Sequence, residues 1–259
     1  MVRLPGAFDF QTLRRNWEAL AREDPFWAVL TDPDKRGGKW HPGDFLASGR
    51  ADVELSLAWV RGHAPAMRTR RALDFGCGAG RLTLALAEHF DEVVGVDIAP
   101  SMLAAARELD TTDGRCTWLL AEQPELPGLA DRSFDLVYSS IVLQHMPPPI
   151  LKRCLAELGR LTGDVLAVQV PHAPRIGLRA SRSYLLRAIG SLRARARHRL
   201  ARLRAGRRPA MEMHAVPRAD VTAVLRGAGL DLLAVDEDDK AGPSWVSLRY
   251  CATRTRVES

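Results

Sequence analysis

Residues 72–80 read Ala-Leu-Asp-Phe-Gly-Cys-Gly-Ala-Gly, and Arg81-Leu82-Thr83-Leu84-Ala85-Leu86-Ala87-Glu88 follows directly. A short apolar run enters three glycines at alternate positions and leaves into a helical pattern. Strand, glycine turn and helix in that order open an α/β sheet whose first turn cradles a nucleotide. Gly76, Gly78 and Gly80 lack a Cβ, so the turn can be tight and a bound molecule can pack on the main chain.

The dinucleotide fingerprint is G-x-G-x-x-G. Here the third glycine falls one residue early and Arg81 stands in its place. Asp74 precedes the glycines inside the strand, where a carboxylate opposes a pyrophosphate but suits a cationic amino group. The next apolar run, Val93-Val94-Gly95-Val96, closes on Asp97. A carboxylate at that strand tip accepts hydrogen bonds from ribose hydroxyls. An acid for an ammonium, a glycine bed and an acid for a ribose together suit S-adenosylmethionine.

Asp74-x-Gly76-x-Gly78-x-Gly80, then Asp97 and a helix opening Ala99-Pro100-Ser101-Met102-Leu103, resembles the class I S-adenosylmethionine-dependent methyltransferases of small-molecule type. The segments 131–139 and Leu143-Gln144-His145-Met146 extend the similarity, which covers roughly residues 68–170 and returns at 216–252. The resemblance implies a Rossmann-like α/β fold. Its seven-stranded sheet would be mostly parallel, with an antiparallel last strand.

Composition sets the bounds around this core. The hydrophobic share of 46% is ordinary for a globular chain long enough to bury a sizeable core. There is no apolar run of membrane-spanning length and no signal-like N-terminus, so a cytoplasmic location is expected. The four cysteines, at 77, 116, 154 and 251, share no metal-ligand spacing, so reduced thiols and no metal are expected. The net charge of +6 is local: twelve arginines and no acid lie between Arg175 and Arg208, while the rest of the chain carries 25 basic against 31 acidic residues. The acidic run Asp236-Glu237-Asp238-Asp239 reads as a solvated turn between two closing strands.

Four regions follow. Residues 1–68 read as a helical lid, with helices over 11–29, interrupted at Pro25, and 44–61, separated by a polar turn-rich loop. Residues 69–171 read as the cofactor-binding core, with strands near 71–75, 92–97, 116–120, 133–139 and 164–170 and helices near 80–90, 101–109 and 148–161. Residues 172–216 read as an arginine-rich helical insertion after the fifth strand, with Leu185, Ile189, Leu192, Ala196, Leu200 and Leu203 on one face. Residues 217–259 supply a helix over 217–229 and two closing strands near 230–236 and 245–253.

The basic amphipathic face leaves several partners open: the core or a second subunit, an anionic membrane contacted through 181–206, or RNA or an acidic substrate. A single aromatic, Tyr184, argues against single-stranded nucleic acid.

Ligands of open α/β sheets sit beyond the carboxyl ends of the strands. The expected cofactor residues are Asp74, Gly76, Cys77, Gly78 and Gly80 after the first strand, Asp97, Ile98 and Met102 after the second, Glu122 and Gln123 after the third, and Ser139 on the fourth. Transfer to oxygen also needs a proton acceptor near neutral pH, and the candidates are His172, His145 and His214. The expected activity is O-methylation of a sugar, glycolipid or secondary metabolite. The alternatives are RNA or tRNA methylation through the arginine helix, and a cofactor-binding interaction protein without turnover.

Overall fold

A computed structural model describes residues 9–175 and 211–254. The arginine-rich helix and the membrane and RNA contacts expected of it fall on 176–210, outside the described residues.

Seven strands form one sheet in the order β3-β2-β1-β4-β5-β7-β6. They are β1 Arg71–Phe75, β2 Glu92–Asp97, β3 Cys116–Leu120, β4 Phe134–Ser139, β5 Thr162–Pro174, β6 Leu230–Asp238 and β7 Trp245–Arg254. β1 pairs in parallel with β2 and β4, and β4 with β5, whereas β7 runs antiparallel to both β5 and β6. The order reverses between β1 and β4, which opens a crevice at their carboxyl ends. Helices α4 Arg81–Leu86, α5 Pro100–Leu109, α6 Pro148–Leu161 and α7 Arg218–Gly227 follow β1, β2, β4 and the 211–216 segment.

Ahead of the sheet come α1 Phe10–Glu23, α2 Pro25–Val29 and α3 Pro42–His63. Asp24 breaks α1 from α2 and organises the loop beyond them. Its Oδ1 accepts the Trp27 N–H, and its Oδ2 accepts the N–H groups of Gly37 and Gly38, both at 2.8 Å. Glu18 docks α1 on the first turn of α5 by accepting the Ser101 N–H and hydroxyl at 3.0 and 2.7 Å. Burial pushes the Glu18 carboxyl up, but those bonds and Arg22 outweigh it and hold it below its ordinary value.

Two boundaries differ from the sequence reading. β5 runs to Pro174 because β7 pairs with it that far, past a register shift between Pro171 and Ala173. β6 runs to Asp238, so most of the acidic run belongs to a strand rather than to a turn. Asp236 accepts the Trp59 indole N–H at 2.6 Å and pairs with Arg249 at 3.7 Å.

α3 lies directly against α4. A Cβ on Gly49 would sit 2.2 Å from the Arg81 carbonyl oxygen, a backbone atom with no rotamer to change. Gly49→Ala is therefore expected to cost about 1–3 kcal/mol, read as a lower denaturant midpoint with an unchanged slope.

Candidate functional site

The glycine turn is tied to β2 before any ligand arrives. The N–H groups of Gly76 and Cys77 both donate to the Val96 carbonyl, at 2.7 and 2.9 Å. The Gly78 N–H donates to Asp97 Oδ2 at 2.9 Å, and the Ala99 N–H to Asp97 Oδ1 at 2.8 Å. One carboxylate thus joins the first and second strand-to-helix turns. Each of its oxygens keeps lone-pair capacity for a further donor. Burial pushes the Asp97 carboxyl up to about 6, against the lowering effect of the Ala99 and Gly78 N–H groups.

Positive φ values of 79°, 52° and 84° at Gly76, Gly78 and Gly80 make glycine the fitting residue at each. The missing side chains also make room for the protein itself. A Cβ on Gly76 would lie 2.3 Å from Val142 Cγ1, one on Gly78 2.6 Å from Val29 Cγ2, and one on Gly80 2.8 Å from the Trp118 ring. Gly80 therefore serves helix and sheet packing, away from the crevice.

A cavity of about 600 Å³ occupies the crevice, within the size range of small-molecule sites. Gly76, Gly78, Asp97, Ile98, Met102 and His145 line it. Ile98 and Ala121 supply an apolar pair beside Asp97, while Leu13, Trp17, Val29 and Leu30 roof it from α1, α2 and the residue after α2. The far end carries charge: Arg81, 2% exposed, pairs with Asp52 at 2.7 Å, and Lys240 reaches the same carboxylate at 3.1 Å. Burial raises the Asp52 carboxyl, but Lys240 and Arg81 outweigh it and leave it below its ordinary value. The buried Arg81 Nε has no hydrogen-bond partner among the described residues. Asp52 and Lys240 escaped the sequence reading because they lie far from the glycine motif in the chain.

The loop after β4 forms the remaining wall. Ile141 holds φ 57°, a strained conformation for a β-branched residue. Gln169 Oε1 accepts its N–H at 2.9 Å. His145 Nδ1 lies 2.8 Å from the Glu212 carbonyl, which can only accept, so Nδ1 carries the proton. Its Nε2 is then the acceptor, 3.2 Å from the Gln144 amide nitrogen. Burial pushes the His145 pKa down to about 4, so the ring is neutral at physiological pH. Trp17 meets it edge-on at 5.0 Å.

Several expected site residues stand elsewhere. Asp74 is 1% exposed and accepts the Thr83 hydroxyl at 2.6 Å, fixing β1 to α4 rather than opening to the cavity. Burial pushes its carboxyl up to about 6. Cys77 is buried behind the turn, and burial pushes its thiol well above the ordinary range. Ser139 donates to the Phe75 carbonyl at 2.8 Å, joining β4 to β1. Glu122 and Gln123 are exposed, and the Glu122 carbonyl accepts from Gln11 at 3.4 Å.

His172 is the extra residue at the β5 register shift, and such bulges re-aim side chains. Its Nδ1 accepts the Arg218 N–H at 3.0 Å, at the start of α7. His214 does not line the cavity; its N–H donates to the Gln144 carbonyl at 2.7 Å and its Nε2 is 3.7 Å from Glu212. Of the three candidate bases, His145 alone borders the cavity.

Residues 72–164 match the family described as "Methyltransferase domain". Over these residues the chain is similar to methyltransferase domains. It is 30% identical over 120 residues to a ubiquinone biosynthesis O-methyltransferase from Bordetella avium (strain 197N), covering 45% of this chain and 50% of that protein. It is 38% identical over 126 residues to a trans-aconitate 2-methyltransferase from Methylobacterium radiotolerans, covering 47% of this chain and 44% of that protein. The matched part of the chain thus spans about half the length of these curated relatives. The structure of magnesium protoporphyrin IX methyltransferase from Synechocystis PCC 6803 with bound SAH superposes with TM-score 0.62 at 20% identity, covering 95% of this chain and 100% of that one. At that identity the likeness establishes the shared fold.

The residues lining the cavity fit S-adenosylmethionine. Asp97 retains acceptor capacity for a diol, Ile98 and Ala121 offer apolar faces, and Arg81 offers an unpartnered buried donor. If Asp97 holds the ribose, S-adenosylmethionine affinity falls as pH drops through about 6, the value for its carboxyl. Protonation there removes acceptor capacity. Asp97→Asn is expected to weaken this dependence and lower affinity about tenfold at neutral pH, measured by calorimetric titration. An affinity indifferent to pH across that range would contradict the role.

Proposed function

We propose that the protein is an S-adenosylmethionine-dependent methyltransferase that transfers a methyl group to a hydroxyl of a small molecule, within the classes of sugars, glycolipids and secondary metabolites. The observation that carries this reading is the convergence of Gly76, Gly78, Asp97, Ile98, Met102 and His145 on one roofed cavity at the strand-order reversal. The likeness to a protein named as an O-methyltransferase supports oxygen as the acceptor atom.

S-adenosylmethionine supplies a methyl group already activated on a sulfonium. The protein's part is alignment, exclusion of water and removal of a proton. In this reading Asp97 orients the ribose, Ile98 and Ala121 pack on the adenine, and the Arg81–Asp52–Lys240 end receives the amino-acid portion. The roof residues Leu13 and Trp17 exclude water. His145, neutral and with Nε2 as its acceptor atom, takes the hydroxyl proton after exchanging its contact with the Gln144 amide. The Glu212 carbonyl stabilises the resulting imidazolium through Nδ1–H.

The test is calorimetric binding of S-adenosylmethionine, followed by methyl transfer from labelled cofactor to a panel of hydroxylated small molecules. Binding and hydroxyl-dependent transfer are expected; failure to bind the cofactor would end this reading. His145→Ala is expected to lower kcat by about 10²–10⁴-fold with cofactor affinity unchanged. An unaltered kcat would remove His145 as the base.

A further inference from the structure

The wall of the cavity formed by the loop after β4 and the 211–214 segment differs in chemistry from the ribose end. Met146, Met211 and Met213 line the cavity there, and Trp17 meets the neighbouring His145 ring edge-on. The segment 211–214 is fastened to that loop by two hydrogen bonds. His145 Nδ1 donates to the Glu212 carbonyl, and the His214 N–H donates to the Gln144 carbonyl at 2.7 Å. Side chains alternate along it: Met211 and Met213 border the cavity, whereas Glu212 and His214 do not. The strained Ile141 and its neighbour Val142 extend the same apolar surface.

Among the described residues, the charged groups that line the cavity are paired with one another or tied to the main chain, and Arg81 Nε, at the end assigned to the cofactor, keeps a donor to spare. Asp52 receives both Arg81 and Lys240, and Asp97 receives two backbone N–H groups. Three flexible, polarisable thioethers suit an apolar ring system, because methionine adapts its shape and contacts aromatic edges favourably. They provide no charge to compensate several carboxylates, whose burial without partners is costly.

Resting on the methyltransferase reading above, we propose that Met146, Met211 and Met213 form the acceptor subsite, and that it takes an apolar, ring-bearing hydroxyl compound rather than a polycarboxylate. The chain is similar both to a protein named for ubiquinone biosynthesis and to one named for trans-aconitate, and an apolar subsite would set it apart from the second.

The experiment titrates 2-naphthol and tricarballylate into the full chain saturated with S-adenosylhomocysteine. It compares wild type, Met211→Gln/Met213→Gln and Met211→Leu/Met213→Leu. 2-Naphthol is expected to bind wild type, to lose about tenfold or more in affinity in the glutamine variant, and to stay within about threefold in the leucine variant. S-adenosylhomocysteine affinity is expected to be equal in all three, which shows that each is folded. Equal 2-naphthol affinity in the glutamine variant, no 2-naphthol binding to wild type, or preferential binding of tricarballylate overturns the subsite while the cofactor reading stands. Absence of S-adenosylhomocysteine binding to wild type overturns both.

Discussion

A guanidinium removed from water needs a carboxylate, and the Arg81–Asp52 pair meets that need at 2.7 Å. Arg81 opens α4 directly after the glycine turn, while Asp52 sits in α3, before the sheet begins. Lys240 brings the β6–β7 hairpin to the other oxygen of the same carboxylate. Three distant parts of the chain are thereby fixed at one end of the cavity. Gly49 lets α3 come close enough for the pair to form, because any side chain there would meet the Arg81 carbonyl. The position of the glycine turn relative to α3 depends on this buried charge being matched.

The opposite end is organised by neutral groups. Gln169 sits under the loop after β4, accepting the Ile141 N–H and donating to Gln144 Oε1 at 3.3 Å and to the Ser247 hydroxyl. Gln144 in turn faces His145. A satisfied buried polar chain of this kind fixes one loop conformation, since leaving any member unpaired costs more than the bond is worth when made. It accounts for a β-branched residue at positive φ beside the cavity: strain at Ile141 is offset by the glutamine that holds it.

The sheet was readable in the sequence because its signals are local. Apolar runs between glycine and proline punctuation marked β1 to β4 to within a residue, and the Gly242-Pro243 turn marked the antiparallel close. Asp97 was readable as a strand-tip acid for the same reason. Asp74, Cys77 and Ser139 were assigned to the ligand because a motif gives position along the chain but not the direction of a side chain; all three point into packing. The sequence reading places His172 just past the end of the fifth strand, whereas β5 continues to Pro174 and His172 sits at its register shift, which leaves no trace in apolar alternation. Asp52, Lys240 and the 211–213 methionines could not be found by spacing, as only the folded chain brings them to the glycine turn. His145 borders the cavity because the 143–145 turn follows β4 directly, at the edge of the crevice.

The roof belongs to the beginning of the chain, yet what it covers is built much later. Glu18 meets Ser101 across 83 positions, and Gln11 meets the Glu122 carbonyl across 111. Contacts this far apart require the intervening chain to be ordered first, because each carries a loop-closure cost that only a formed surface repays. The sheet with its glycine turn is thus the surface against which α1 and α2 are held. These helices also bury Leu13, Leu20, Ala21 and Ala28 in the core clusters, so exposing the cavity carries the cost of exposing those side chains as well as of breaking the hydrogen bonds.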